Sequence, residues 1–471
     1  MDSSRKKGVS ALDFFCIGFG AIIGVGWAVS INSWMTSCGG PVPAAIGYLI
    51  LLVILIPVGL CYAELVPAIP VVGGVMIFAR KAFGPKMAMV AGWASLGGMI
   101  SILPWEAIQI TDVLGYLFPA LKNSPVLYTL YGSDIHLSTI LIGLACAVLM
   151  FLLNIKGLKA AATAQKILCL VLIACAVIGG AAALLAGSPS NLTPVYDVSD
   201  PAIYGPGLVT VTHKTFLGAC FAIVAQAAFF LSGFETIPQG IEDAGGDVKS
   251  VGKTVVLSVV LACLFYAGLL ICFGIAWPWK QFAGMERPAT ASLFLYLYPG
   301  AVGRTLYWVL VIGAIAGLFT SWNGFFTAAA NLTMSMSREH LLPAFLGKQT
   351  ADGIAIRGQI ACLILSILGP FLGPNLIDAI TCFSAITFSI SWGMCAWSMV
   401  FLRKKAPEIP RPYRMPGGLP AGLFAAIAMT LVVAFMLLPF SPFYVGSLSV
   451  MAFAGWSLLG AVLYAISRAA R

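Results

Sequence analysis

Apolar runs of about 20 to 25 residues recur along the chain, separated by short polar stretches. Each is long enough for an α-helix, rising about 1.5 Å per residue, to cross a hydrocarbon core roughly 30 Å thick. Transmembrane strands would be about half as long and would alternate polar with apolar positions, so helices are predicted. The runs fall near residues 11–35, 42–66, 86–112, 137–155, 163–187, 213–240, 254–277, 302–330, 355–373, 376–402, 418–440 and 444–467, numbered here as spans 1 to 12. Arg5, Lys6 and Lys7 before the first run imitate a signal peptide. That run is too long and too closely followed by a second for a cleaved leader, so span 1 is read as retained.

Spans 1 and 6 break the apolar pattern at mid-length. Span 1 carries Gly18-Phe19-Gly20-Ala21-Ile22-Ile23-Gly24-Val25-Gly26, and span 6 carries Ser232-Gly233-Phe234-Glu235-Thr236-Ile237-Pro238. Unwound backbone at membrane depth must line a cavity to be satisfied, and two such breaks in matching positions point to a transporter built from repeats. The breaks sit five spans apart, an odd number, so the second repeat is expected to be inverted: repeat one at about 11–187, repeat two at about 213–402, with spans 11 and 12 added at about 418–467. Glycine also serves helix packing in membranes. The matched break in span 6, with a carboxylate inside it, favours binding.

Composition excludes a water-soluble fold: 60% of residues are hydrophobic and 9% charged, with a mean hydropathy of +0.99. The chain reads as an all-α integral membrane protein of about twelve transmembrane helices forming one membrane domain, because its largest connections, about 113–136, 188–212 and 278–301, are too short for a soluble domain. The 12 cysteines lie in or beside apolar runs without metal-site spacing and read as free buried thiols. The net charge of +9 reflects topology and not a nucleic-acid partner. With the N-terminus in the cytoplasm and an even span count, 21 of the 26 Lys and Arg fall on the cytoplasmic side, including Arg80, Lys81, Arg403, Lys404, Arg411 and Arg414. Only Lys122, Lys214, Lys280, Arg287 and Arg304 fall outside, as the positive-inside rule requires. Both termini are therefore expected in the cytoplasm of a cell-membrane protein. Oligomeric state is not legible.

Several stretches together resemble the amino acid-polyamine-organocation transporter family. They are Gly20-Ala21-Ile22-Ile23-Gly24-Val25-Gly26; Glu64-Leu65 with Gly73-Gly74 and Ala79-Arg80-Lys81-Ala82-Phe83-Gly84; Ser321-Trp322-Asn323-Gly324 with Ser337-Arg338-Glu339-His340-Leu341-Leu342-Pro343; and Leu402-Arg403-Lys404-Lys405 through Arg411-Pro412-Tyr413-Arg414-Met415-Pro416. Their order spans most of the chain. The resemblance implies the leucine-transporter fold, alternating access around a central site by symport or exchange, and substrates such as amino acids, polyamines or simple amines.

Substrate is then expected at the breaks. Amides freed at Gly24, Val25 and Gly26 favour a carboxylate, while carbonyls freed nearby and at Ser232 and Gly233 accept an ammonium. Ile23, Trp27 and Phe234 adjoin the breaks. The sequence departs from the family at Val25, where Ser or Thr is common, and at Trp27, where a smaller residue is common. Phe229 stands where the family places an aromatic gate over substrate, and Trp27 and Trp322 are further candidate lining residues.

Glu235 within the span 6 break and Glu106 after Pro104 in span 3 are embedded carboxylates, which cost on the order of 3 kcal/mol by insertion scales unless protonated, paired or hydrated. Each is a functional candidate or a structural acid bonded to unwound backbone. Either could carry a coupling proton. Alternatively, Thr320 and Ser321 resemble the hydroxyl pair of sodium-driven cousins, and aligning Lys159 and Gln165 with the family pattern puts Leu172 where many relatives hold a lysine. Sodium and proton both stay open as coupling ions, and no other cofactor is expected.

Two decoys are set aside. Val251-Gly252-Lys253-Thr254 resembles the end of a phosphate loop but has Asp247 where a glycine is needed, and Asn191-Leu192-Thr193 is a sequon meaningful only in a secretory host. An embedded enzyme is the main rival class, but His136, His213 and His340 lie near membrane boundaries and do not cluster. A channel or substrate sensor on the same fold is a further alternative.

Overall fold

A proline at the first helical position starts two of the longest helices, Pro41–Ala68 and Pro85–Leu117, where its missing N–H costs no hydrogen bond. The computed structural model describes residues 11–199, 215–243, 248–285, 288–441 and 443–470. Arg5, Lys6, Lys7, His213, Lys214, Asp247, Arg287 and Arg471 lie outside them. Among the described residues, eleven helical segments are long and apolar enough to cross a membrane; Ile356–Leu372, at 17 residues, is apolar but shorter. It stands at the place of span 9, so the twelve expected spans are all found as helices. The protein is a multi-pass, all-α membrane protein.

Span 1 is Ala11–Ile22 followed by Gly26–Val29 and Ile31–Cys38, and span 6 is Phe216–Ala222, Val224–Phe230 and the tighter turn Phe234–Asp243. Both are interrupted where glycine and polar residues interrupt the apolar pattern. Spans 3, 5, 7, 8 and 10 are the helices Pro85–Leu117, Leu158–Ala186, Val248–Ala276, Ala301–Arg338 and Ile377–Lys405. The Val251–Thr254 stretch lies within the helix of span 7, which excludes a phosphate loop there.

The helix pairs that pack together exchange under a shift of five spans. Span 3 packs on span 10 and span 8 on span 5; span 1 packs on spans 5 and 7, and span 6 on spans 10 and 2. Spans 2 and 7, 3 and 8, and 4 and 9 pack on each other directly.

Ion pairs gather where span 1 begins. Glu64, fully buried, receives Arg403 (Nε to Oε1, 2.8 Å), Arg411 (Nε to Oε1, 3.3 Å) and the Met415 amide (2.9 Å). Arg80 pairs with Glu339 at 2.6 Å and Lys166 with Asp13 at 3.1 Å. At the opposite ends of the spans, Val126–Leu130 and Ser133–His136 form an antiparallel hairpin turned at Tyr131 and Gly132, both with positive φ. Its tip is held by the Asn375 side-chain amide, which donates to the Tyr131 carbonyl. On that same side the Asn191 amide nitrogen of the sequon donates to the Ile275 carbonyl at 2.8 Å.

A pocket between two broken helices

The helix of span 1 stops at Ile22 because Gly24 folds back on it: the Gly24 amide donates to the Ile22 carbonyl at 3.1 Å. That bond removes one of the three donors expected from the sequence. The Val25 and Gly26 amides find no backbone acceptor among the described residues and remain available. In span 6 the helix ends at Phe230, and Ser232 caps it by donating both its amide (3.1 Å) and its hydroxyl (2.6 Å) to the Phe229 carbonyl. Gly233 follows at φ +136°, and a Cβ there would sit 2.5 Å from the Ile22 nitrogen. The two breaks therefore touch, and only glycine permits it.

Between them lies a narrow pocket, lined from span 1 by Ala21, Ile22, Gly24, Val25 and Gly26, from span 6 by Phe229, Phe230 and Ser232, and from spans 3 and 8 by Ile102, Trp105, Glu106, Ser321 and Phe325. Phe229 meets Trp105 with ring centroids 5.1 Å apart and Phe230 edge-on at 5.0 Å, while Phe230 meets Trp34 at 4.7 Å. These rings form an aromatic wall beside the second half of span 1. Trp105 is fixed by its indole N–H, which donates to Thr381 of span 10 at 3.0 Å. Beside the first half of span 1 a second narrow cavity has both apolar and uncharged polar residues in its wall, the polar ones including Gln165, Thr236, Gln239, Asn323 and Asn331.

The candidate residues separate into groups. Gly24, Val25, Gly26, Phe229, Ser232, Glu106 and Ser321 come together in the pocket wall. Glu106 accepts the Ser321 hydroxyl at Oε1, its Oε2 has no partner among the described residues, and the residue is 2% exposed. Thr320 donates to the Gly317 carbonyl at 2.7 Å, and a Cβ on Gly317 would meet both the Gly24 carbonyl oxygen (2.5 Å) and Leu172 (2.6 Å). Leu172 thus stands beside the break.

The others stand off the pocket. Ile23 is wholly buried, and Trp27 meets Phe265 edge-on at 6.4 Å. Phe234 stacks on Trp392 at 5.3 Å, and Trp322 turns to span 9, where it donates to Ser366 at 3.1 Å. Glu235 folds against its own break: Oε2 accepts the Gly233 amide at 3.1 Å and Oε1 has no partner among the described residues.

The sequence reading missed Trp105, Phe230, Phe325 and Tyr266. Tyr266 of span 7 donates its hydroxyl to the Ile22 carbonyl at 3.1 Å, capping the carbonyl freed by the span 1 break. Trp105 had a signal, since it adjoins Glu106 immediately after Pro104. Tyr266 had none in the sequence.

All 12 cysteines are free, and no group of three or more His, Cys, Asp or Glu able to hold a metal occurs among the described residues. The family whose sequence model is described as amino acid permease matches residues 9–464. Similar proteins include a branched-chain amino acid permease of Bacillus subtilis, 23% identical over 98% of this chain and 93% of its own length. A branched-chain amino acid permease of Lactococcus lactis is also 23% identical, over 88% and 86%. An aspartate-proton symporter of Bacillus subtilis is 22% identical over 88% and 76%. Pocket, broken helices and a match running over nearly the whole length agree: the chain belongs to the amino acid permease family and is a transporter, not an enzyme.

Proposed function

We propose that this permease carries a small α-amino acid across the cell membrane by alternating access, with substrate held between the breaks of spans 1 and 6. The observation that carries this reading is the pocket itself. It offers unpaired Val25 and Gly26 amides for a carboxylate and an unpaired Glu106 oxygen beside apolar and aromatic walls. The branched-chain activity named for two relatives supports an apolar side chain. The packing pairs that exchange under a shift of five spans support two inverted repeats, at about 11–187 and 213–402. The cluster of ion pairs around Glu64 and Arg80, on the side where span 1 begins, supports a cytoplasmic N-terminal face.

Purified protein should melt at higher temperature in the presence of its substrate, because a ligand that prefers the folded state stabilises it by mass action. A panel of the twenty amino acids, simple amines, sugars and carboxylates without an amine is expected to give a shift for apolar amino acids and none for the sugars or the amine-free carboxylates. No shift from any member, with no uptake into proteoliposomes, overturns the reading.

For the coupling ion we favour the proton, held by Glu235. Its Oε1 has no partner, and no Lys or Arg lies within ion-pair distance among the described residues. A sodium ion at Thr320 and Ser321 would also have to accommodate the Ser321–Glu106 bond and the neighbouring Leu172. An inward proton gradient imposed on proteoliposomes is expected to drive accumulation that a sodium gradient alone does not. The converse result assigns the hydroxyl pair to sodium.

A further inference from the structure

At the breaks, three of the carbonyls that could receive a positively charged end of a substrate are already engaged. The Ile22 carbonyl accepts both Tyr266 and the Gly24 amide, the Phe229 carbonyl accepts Ser232 twice, and the Gly233 carbonyl accepts the Thr236 hydroxyl at 2.6 Å and its amide at 3.0 Å. Among the lining residues the charged acceptor is Glu106. Glu106 Oε2 is buried and unpartnered, while Oε1 of the same carboxyl is fixed by Ser321, so the group is oriented but only half satisfied. Glu106 takes part in no ion pair among the described residues. A carboxylate in that position gains most from a cation that arrives with the ligand.

The walls point the same way. Trp105, Phe229, Phe230 and Phe325 line the same pocket as the carboxylate, and aromatic faces attract an ammonium, by more when it is desolvated. Gly24 lies against this pair: a Cβ there would sit 2.8 Å from the Ser321 hydroxyl oxygen, too close for Ser321 to stay, and 3.4 Å from Glu106 Oε1, an ordinary contact. The Val25 and Gly26 amides follow directly in the chain. Acceptor and donors therefore adjoin one another, as the two ends of an α-amino acid do.

We propose that Glu106 receives the substrate's ammonium group through Oε2, so that this permease selects its ligands by a free amine. Ser321 is the positioning residue that aims the carboxylate. This inference rests on the carrier reading above and names the group that determines specificity in the same pocket.

The test uses the purified full-length protein and three ligands of one shape: L-leucine, its decarboxylated analogue isoamylamine and its deaminated analogue 4-methylpentanoate, with binding measured by calorimetry. In the unaltered protein, leucine binds, isoamylamine competes with it, and 4-methylpentanoate is at least about tenfold weaker than leucine. In Glu106→Gln, leucine and isoamylamine weaken by about ten- to a hundredfold, the range for a hydrogen bond to a charged group, while 4-methylpentanoate is unchanged. Ser321→Ala keeps the carboxylate and loses its tether. It is expected to weaken the two amines by less than Glu106→Gln does, and it serves if that variant does not fold.

The proposal is overturned if 4-methylpentanoate competes as well as isoamylamine, or if Glu106→Gln weakens all three ligands equally or none. It is also overturned if Glu106→Gln abolishes the pH dependence of uptake while amine affinity stays intact, which would make Glu106 a proton carrier. If no amino acid binds the unaltered protein, the carrier reading fails and this inference with it; amino acid binding without amine selection removes the inference alone.

Discussion

At Gly233 the backbone of span 6 comes so close to Ile22 that a single methyl group decides whether the two breaks can meet. Gly233→Ala would place a carbon 2.5 Å from the Ile22 nitrogen and hold alanine at φ +136°, a conformation costing of order 1–3 kcal/mol. Transport is expected to fall at least about tenfold, with a lower melting temperature; uptake kinetics equal to those of the unaltered protein would contradict the contact. Tyr266→Phe removes the donor on the Ile22 carbonyl but keeps the ring packed on Tyr48 at 5.2 Å. It should leave folding nearly intact and sharpen amine selection, because a second acceptor is uncovered beside the pocket. An unchanged preference for leucine over 4-methylpentanoate would argue that this carbonyl does not reach the ligand. The glycines and Glu106 were legible in the sequence because their chemistry is anomalous inside an apolar run. Tyr266 was not, since a tyrosine in a transmembrane helix is ordinary and only the folded chain brings its hydroxyl to the break.

Spans 1 and 6 owe their interruptions to local sequence, but what keeps the neighbouring helices in register is contact that no periodicity reveals. Span 3 and the helix of span 12, Ser447–Ala469, are joined by Trp93 and Trp456, stacked at 3.9 Å, each indole N–H donating to the other's carbonyl at 2.8 and 3.1 Å. Trp456→Phe keeps a ring and removes one of these bonds, so its expected cost is about 0.6 to 1.7 kcal/mol, the range for interhelical hydrogen bonds in membranes. Thermal unfolding in detergent measures it, and no loss would show the pair to be incidental. Breaking the buried Glu64 cluster is a larger change. Arg403→Ala leaves a fully buried carboxylate with only Arg411 and the Met415 amide, and should destabilise by about 3 kcal/mol. Apolar run length located the spans to within a few residues for most boundaries. The hairpin at Val126–His136 escaped that reading because a two-stranded element in a 25-residue connection has too few alternating positions to separate it from loop.

Across the whole molecule the charges divide by face. Glu64, Arg80, Arg403 and Arg411 are paired where span 1 begins, whereas Asp197 and Lys280 pair at 2.5 Å on the opposite side. Lys280 and Ser199 hold the Asp197 carboxyl down at about 2. A depressed carboxylate stabilises above its unfolded value near 3.9 and loses that contribution as pH falls toward about 2, so the contribution of this tie should be constant at ordinary pH. The melting difference between Lys280→Ala and the unaltered protein is therefore expected to stay the same from pH 5 to pH 8; a difference that vanishes within that range would refute the pairing. The pattern of two breaks five spans apart announced the architecture, and the paired contacts agree with it. What the pattern could not give was the pocket's shape, because its aromatic wall is assembled from spans 1, 3 and 6. The most direct test of the central claim, that this chain is a carrier with its substrate site between the breaks, is counterflow in proteoliposomes. Vesicles are loaded with millimolar unlabelled L-leucine, or with the amino acid that gives the largest melting shift, and diluted into a trace of the labelled compound. The account predicts a transient accumulation of label above equilibrium, saturable and lost in Phe229→Ala, whereas linear, non-saturable entry without overshoot would contradict it.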